Sequence, residues 1–175
     1  VVKSLQRFIL SLGFERVHLQ GDKEHSIHDL IQKVALETPS AMPRATPQGS
    51  KGSNGRVERF HQSVEGMMRT LRLTIMDDYG VQIPTSQPLT AWMMRHAAWL
   101  RDRFQPGRRD GHTPYARHQL RDYYGKVVPF GETVMWRQPG PVLFKLKEPW
   151  GFGIWLGRAQ ENDAHIVGTR HGCLM

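Results

Sequence analysis

Apolar residues recur at helical spacing at Val2, Leu5, Phe8, Ile9 and Leu12, and Gly13 follows as a stop, which predicts a packed first helix. Residues 15–21 then alternate, with Val17 and Leu19 on one side, and read as a strand. Ile27, Leu30, Ile31 and Val34 mark a second helix that ends before Pro39. Residues 39–55 contain three prolines and three glycines and read as a loop, with room for a short strand near Ala41–Ala45. The longest helix is predicted from about Ser53 to Asp78. Its apolar stripe is Val57, Phe60, Val64, Met67, Met68, Leu71 and Ile75, and its polar stripe is Asn54, Glu58, Gln62, Glu65, Arg69 and Arg72. A further helix covers about Pro88–Phe104 and turns Leu89, Trp92, Met93, His96, Trp99 and Leu100 toward a core, which makes His96 a packing residue rather than a ligand.

After Gln105 the pattern changes. Pro106-Gly107-Arg108-Arg109-Asp110-Gly111 is turn-rich and basic, and a short helix is expected from His112-Thr113-Pro114-Tyr115 to Tyr124. Five short β-like runs follow: Lys126–Val128, Glu132–Arg137, Leu143–Lys147, Ile154–Arg158 and His165–Thr169. Gly and Pro punctuate the gaps, which predicts a small antiparallel barrel, with Trp136, Trp150 and Trp155 assigned to its interior. The expected organisation is therefore a first unit over 1–105, a linker with a short helix over 106–124, and a β module over 125–175.

Composition narrows the partners. The 175 residues carry a formal net charge of +8, which favours a polyanion and, among polyanions, nucleic acid. No apolar run approaches the roughly 18–20 residues of a spanning helix, so no membrane role is expected. The only cysteine, Cys173, excludes a disulfide framework or a Cys-based zinc site within these residues, and the nine histidines lack paired ligand spacing. Val1 already lies inside a helical pattern, so the chain reads as a piece of a longer polypeptide.

The candidate chemistry rests on two carboxylates. Asp22 closes the predicted strand, Glu58 opens the long helix, and thirty-five residues separate them. Magnesium takes oxygen ligands, and carboxylates fixed on a strand end and a helix can hold divalent cations for phosphoryl transfer. Negative charge is also favoured near a helix N-terminus, where Glu58 stands. Taken alone, Asp22 reads as a turn or capping residue and Glu58 as a surface charge that compensates the helix dipole; the pair at this spacing, with its flanks, points to the metal site. Arg101, Arg103, Arg108 and Arg109 form a basic run that is either a solvated linker or a phosphate-backbone contact. Lys145, Lys147 and Trp150 mix basic and aromatic residues on the expected barrel.

Several segments together resemble a retroviral or retrotransposon integrase of the copia-like type. Pro47-Gln48-Gly49-Ser50 and Ser53-Asn54-Gly55-Arg56-Val57-Glu58-Arg59 resemble the family's Pro-Gln-(x)-Asn-Gly-x-Val-Glu-Arg signature. Gly21-Asp22-Lys23-Glu24 resembles a divergent form of its Asp-Asn-Gly segment, with Lys23 for the usual Asn and Glu24 for the usual Gly. Thr113-Pro114-Tyr115 resembles the segment after the catalytic core, and Val128-Pro129-Phe130-Gly131-Glu132 and Gly153-Ile154-Trp155-Leu156-Gly157 resemble the SH3-like module beyond it.

The resemblance implies an α/β chain: a partial RNase H-like core whose first strands are absent, followed by a small antiparallel SH3-like β-barrel. It implies Asp22 and Glu58 as catalytic residues and ligands of Mg2+ or Mn2+. The first of the family's three acids lies upstream, as does a zinc-binding domain, because Glu15 stands at the wrong point of the pattern. Asn54, Arg56, Arg59, His61, Gln62, Arg69 and Arg72 become candidate nucleic-acid contacts. Where the family often carries lysines, one and two turns past the acid, this chain has Gln62 and Glu65. The intact parent is expected to process 3′ ends and transfer strands between element ends and target DNA, as a homo-oligomer in the nucleus. The piece itself is expected to be inactive alone. Two other readings remain open: a non-catalytic nucleic-acid-binding remnant of a degenerate element, and a protein-interaction module whose charge only aids solubility.

Overall fold

A computed structural model of the chain describes residues 1–21, 24–44, 55–137 and 148–175. Two compact units are present, Val1–His61 and Gln62–Met175.

The first unit begins with helix α1 (Val2–Ser11), whose inward face presents Ile9. It stops where expected: Gly13 has φ +67, a left-handed conformation, and its N–H donates to the Leu10 carbonyl at 3.2 Å. Strand β1 (Val17–Gln20), helix α2 (His25–Glu37) and strand β2 (Ala41–Arg44) follow. The strands pair in parallel, Val17 with Ala41 through Gln20 with Arg44, so α2 is the crossover that parallel pairing requires. Ile9, Val34 and Ala41 form the buried centre, with Val2, Leu5, Val17, Leu19 and Leu30 packed around them. Gly21 lets the end of β1 approach α2, because a Cβ there would lie 2.6 Å from Ile27 Cγ2 and 2.9 Å from Ile31 Cδ1.

Helix α3 (Gly55–Tyr79) runs across the division between the units. In the second unit its later turns are joined by α4 (Pro88–Phe104), α5 (Pro114–Gln119), β3 (Thr133–Arg137), β4 (Trp150–Arg158), β5 (His165–Thr169) and β6 (Gly172–Leu174). Pro88 opens α4, a position where the missing N–H costs nothing. The four strands form one antiparallel sheet in the order β3-β4-β5-β6, with a bulge in β4 between Trp155 and Gly157. Ile75, Ile83, Met93, Phe130, Leu156, Ala159 and Ile166 bury together, so α3, α4 and the sheet share one core. The Tyr79 hydroxyl donates to the Gly131 carbonyl at 2.9 Å and ties the end of α3 to the start of the sheet. The compact units divide at His61/Gln62, and the core of the second unit draws residues from both sides of 106–124.

Four expectations about the β module and its approach need correction. Among the described residues the sheet is open rather than closed into a barrel, since β3 and β6 are its two ends and do not pair. Lys126–Val128 forms no ladder; the Lys126 carbonyl accepts instead from Arg158 Nη2 at 2.7 Å and Nε at 3.2 Å. α5 stops at Gln119 rather than reaching Tyr124, because Leu120 turns left-handed (φ 55, ψ 24). Trp150 is half exposed, outside the core, while Trp155 is fully buried as expected. The expected strand Leu143–Lys147 lies outside the described residues.

Candidate metal and nucleic-acid site

The opening of α3 displays the candidate chemistry. Glu58 is in the first turn of the helix and its side chain is exposed, as are Arg56, Arg59 and His61. Arg59 Nε donates to the Gly55 carbonyl at 3.0 Å, which folds its guanidinium back along the helix start. The His61 ring meets Phe60 edge-on at 6.1 Å between centroids. Further along α3, Gln62, Glu65 and Arg69 are exposed, one to three turns past Glu58. Arg72 differs from its neighbours: it is half-buried and its Nε donates to the Ile83 carbonyl at 2.7 Å. Part of that guanidinium is therefore engaged in holding the segment after α3, a role its place on the polar stripe did not reveal.

Asp22 and Asn54 lie outside the described residues, as do Lys145 and Lys147. Glu58 has the exposure and the hard oxygen donors that a magnesium or manganese ion takes. Among the described residues no three His, Cys, Asp or Glu side chains group as a metal-binding set. No helix among them is long and apolar enough to cross a membrane.

The basic run near the linker separates into two kinds of residue. Arg108 and Arg109 are exposed. Arg103 is buried, with its guanidinium 4.6 Å from the Trp99 ring centroid, 5.1 Å from Tyr115 and 5.4 Å from Tyr123. Arg103 thus packs inside an aromatic cage and is unavailable to a phosphate backbone. Beside the cage, Tyr123 donates to both carboxylate oxygens of Asp163 at 2.9 and 3.0 Å, and Arg158 Nη1 pairs with the same carboxylate at 3.0 Å. Burial, then the Asp163 carboxylate, push the Tyr123 phenol up to about 12. The alternation of arginine and aromatic residues from Trp99 to Tyr123 was the available signal for this cluster. From the sequence the charges read as a solvated linker or a phosphate-backbone contact, and Arg103 is neither.

His96 sits in the core as expected, stacked on Trp99 and Phe130 with ring centroids 5.6 and 5.2 Å away. It has no part in the candidate site.

No protein-family model matches the sequence, and no curated protein matches it. Among solved structures the chain is similar to a chain in the simian T-cell lymphotropic virus intasome in complex with PP2A regulatory subunit B56 gamma. The TM-score is 0.39 at 16% identity, over 98% of this chain and 59% of that one. This chain therefore spans less than two thirds of the length of the chain it matches.

Proposed function

We propose that this chain is the later part of a retroelement integrase, with a partial RNase H-like core and an appended β module. In this reading Asp22 and Glu58 are two of its three metal-binding carboxylates. The observation that carries the reading is the placement of Glu58. It is exposed in the first turn of a 25-residue helix, directly after Ser53-Asn54-Gly55-Arg56-Val57, and β1 ends two residues before Asp22 in sequence. A strand end and a helix start are rigid supports for ligands that must stay fixed while DNA moves.

When bound, Mg2+ or Mn2+ supplies charge that activates an attacking oxygen and stabilises the leaving one. The chain's own residues bind and orient. Glu58 and Asp22 offer carboxylate oxygens. Arg56, Arg59, His61 and Gln62, beside the acid or within one turn of it, meet phosphate or base edges, and Arg69 extends the positive surface along α3. The DNA partners are element ends and target DNA, and the assembly is a homo-oligomer of the intact parent.

Two measurements test this. Titrating Mn2+ into the chain should broaden backbone resonances around residues 20–24 and 56–62 ahead of all others, and Glu58→Gln should remove that selectivity. Extending the chain upstream should then restore strand transfer, which Glu58→Gln abolishes. Broadening elsewhere, or activity indifferent to Glu58, sinks the reading.

The substituted flanks favour a second reading. Lys23 and Glu24 replace the family's Asn and Gly, and Gln62 and Glu65 stand where lysines are common. A remnant that only binds nucleic acid would show salt-sensitive DNA binding that Glu58→Gln leaves unchanged, with no activity on extension.

A further inference from the structure

Trp155 is 1% exposed and lies in β4 where the strand bulges. A histidine contacts it from each of two elements. From β5, His165 Nδ1 accepts the indole Nε1–H at 2.9 Å. From α4, the His96 ring meets the indole edge-on, 5.2 Å between centroids at 83°. We propose that these two histidines form an acid-sensitive latch on Trp155, both rings having to be neutral for β4 to stay seated against α4.

The requirement at His165 follows from its hydrogen bond. Accepting from an indole N–H demands a lone pair on Nδ1, so the ring proton must be on Nε2. Protonation puts a second N–H on Nδ1, pointing at the indole N–H, and the bond is lost. The requirement at His96 follows from its surroundings. The ring is 3% exposed, between Trp99, Phe130 and Trp155, and its Nδ1 has no hydrogen-bond partner among the described residues. Gly157 makes room for that nitrogen, since a Cβ there would lie 3.0 Å from it. A proton on Nδ1 would be a buried donor facing no acceptor. Ring faces attract a cation, but Arg103 already occupies the Trp99 ring at 4.6 Å and repels a second cation.

The charged neighbours do not offset this. On α4 they are Arg103 and Asp102, paired with each other at 3.3 Å. Glu132, beside Phe130, is exposed and reaches Trp155 only through its carbonyl, which accepts the Trp155 N–H at 2.8 Å. Tyr123 packs on Trp99 and donates to Asp163. Near His165 stand Arg158, which opposes protonation, and Asp163, which favours it but is already held by Arg158 and Tyr123. Burial lowers both histidines, His96 to about 4. The latch is therefore closed above the ordinary histidine range and opens in steps as pH falls below about 6.5.

The test follows the Trp155 indole N–H resonance of the full chain from pH 7.5 to 4, assigned by its disappearance in Trp155→Phe. The wild type should show an upper step from His165 and a lower one from His96. His165→Gln keeps a side-chain acceptor that does not titrate, so the upper step should vanish. His96→Phe should remove the lower step, and the double variant should be flat. A wild-type resonance that does not move to pH 4 overturns the proposal, as does a double variant that titrates like the wild type. Should His96→Phe not fold, His165→Gln decides alone, and an unchanged upper step refutes the latch.

Discussion

The two units bury different chemistry. Around β1, α2 and β2 the centre is aliphatic and small, built on Ile9, Val34 and Ala41, and the described candidates Arg56, Glu58, Arg59 and His61 are exposed. Between α4 and the sheet the interior is aromatic and holds charge and titratable groups: Arg103 within Trp99, Tyr115 and Tyr123, and His96 among Trp99, Phe130 and Trp155. The first arrangement leaves Glu58 free to change partner without disturbing a core. The second couples protonation to packing. On the proposed reading, the side chains offered to a substrate at the start of α3 and the charged groups that hold the fold around α4 are thus separated along the chain.

The largest expected effect tests the aromatic side. Trp155→Ala removes the side chain that two histidines and the bulge enclose, and should cost about 3–5 kcal/mol in denaturant unfolding. Ile9→Ala, in the aliphatic centre, should cost about 2–5 kcal/mol but leave the near-ultraviolet circular dichroism of the aromatic cluster intact. If Ile9→Ala collapses that signal, the two cores are not independent.

Acid should distinguish the units next. His96 ionises near 4 in the fold and near the ordinary 6.5 once unfolded. Its contribution is therefore fully present above pH 6.5, is lost progressively as pH falls from 6.5 to 4, and falls no further below that. The loss should approach about 3 kcal/mol, read as the pH dependence of the unfolding midpoint, and His96→Phe should flatten it. The Tyr123 phenol gives a smaller, separate reading. It should titrate near 12 by ultraviolet absorbance and shift downward in Asp163→Asn, because the neutral amide no longer repels the phenolate.

How much of this was legible in the sequence differs between the same regions. The bounds of α4 were readable because Pro88 marks a first helical turn and Trp92, Met93, His96 and Trp99 keep strict helical spacing. β1 and α2 were readable from alternation and periodicity, with Gly13 and Gly21 where backbone geometry demands them, whereas the segment of β2 read as a loop with room for a short strand and its parallel pairing with β1 was not readable. The face of β4 was not. There the usual pattern inverts: Trp150 and Phe152 point outward, while Gly151 and Gly153 lie on the inner face, because Trp136 and Val167 fill the space their side chains would take. Hydrophobicity alone assigns the tryptophan to the core. Arg103 was misread for a related reason, since charge along a sequence does not show which guanidinium has aromatic faces around it. The place of Glu58 at the opening of the long helix was legible from the periodicity that follows it, whereas the bond from Arg72 to Ile83 depends on how the chain turns back after α3.

The smallest expected effect on stability is the most informative about function. Glu58 is exposed at the start of α3 and lies outside both buried clusters. Glu58→Gln removes one favourable charge from a helix N-terminus, worth about 0.3–1 kcal/mol at most, and keeps size and polarity. Unfolding should therefore shift by less than 1 kcal/mol while the Mn2+-dependent broadening around residues 56–62 disappears. That pairing, near-silent in stability and complete in metal response, is what a surface ligand predicts. A dipole-compensating surface charge predicts the same small stability change with a metal response that does not change.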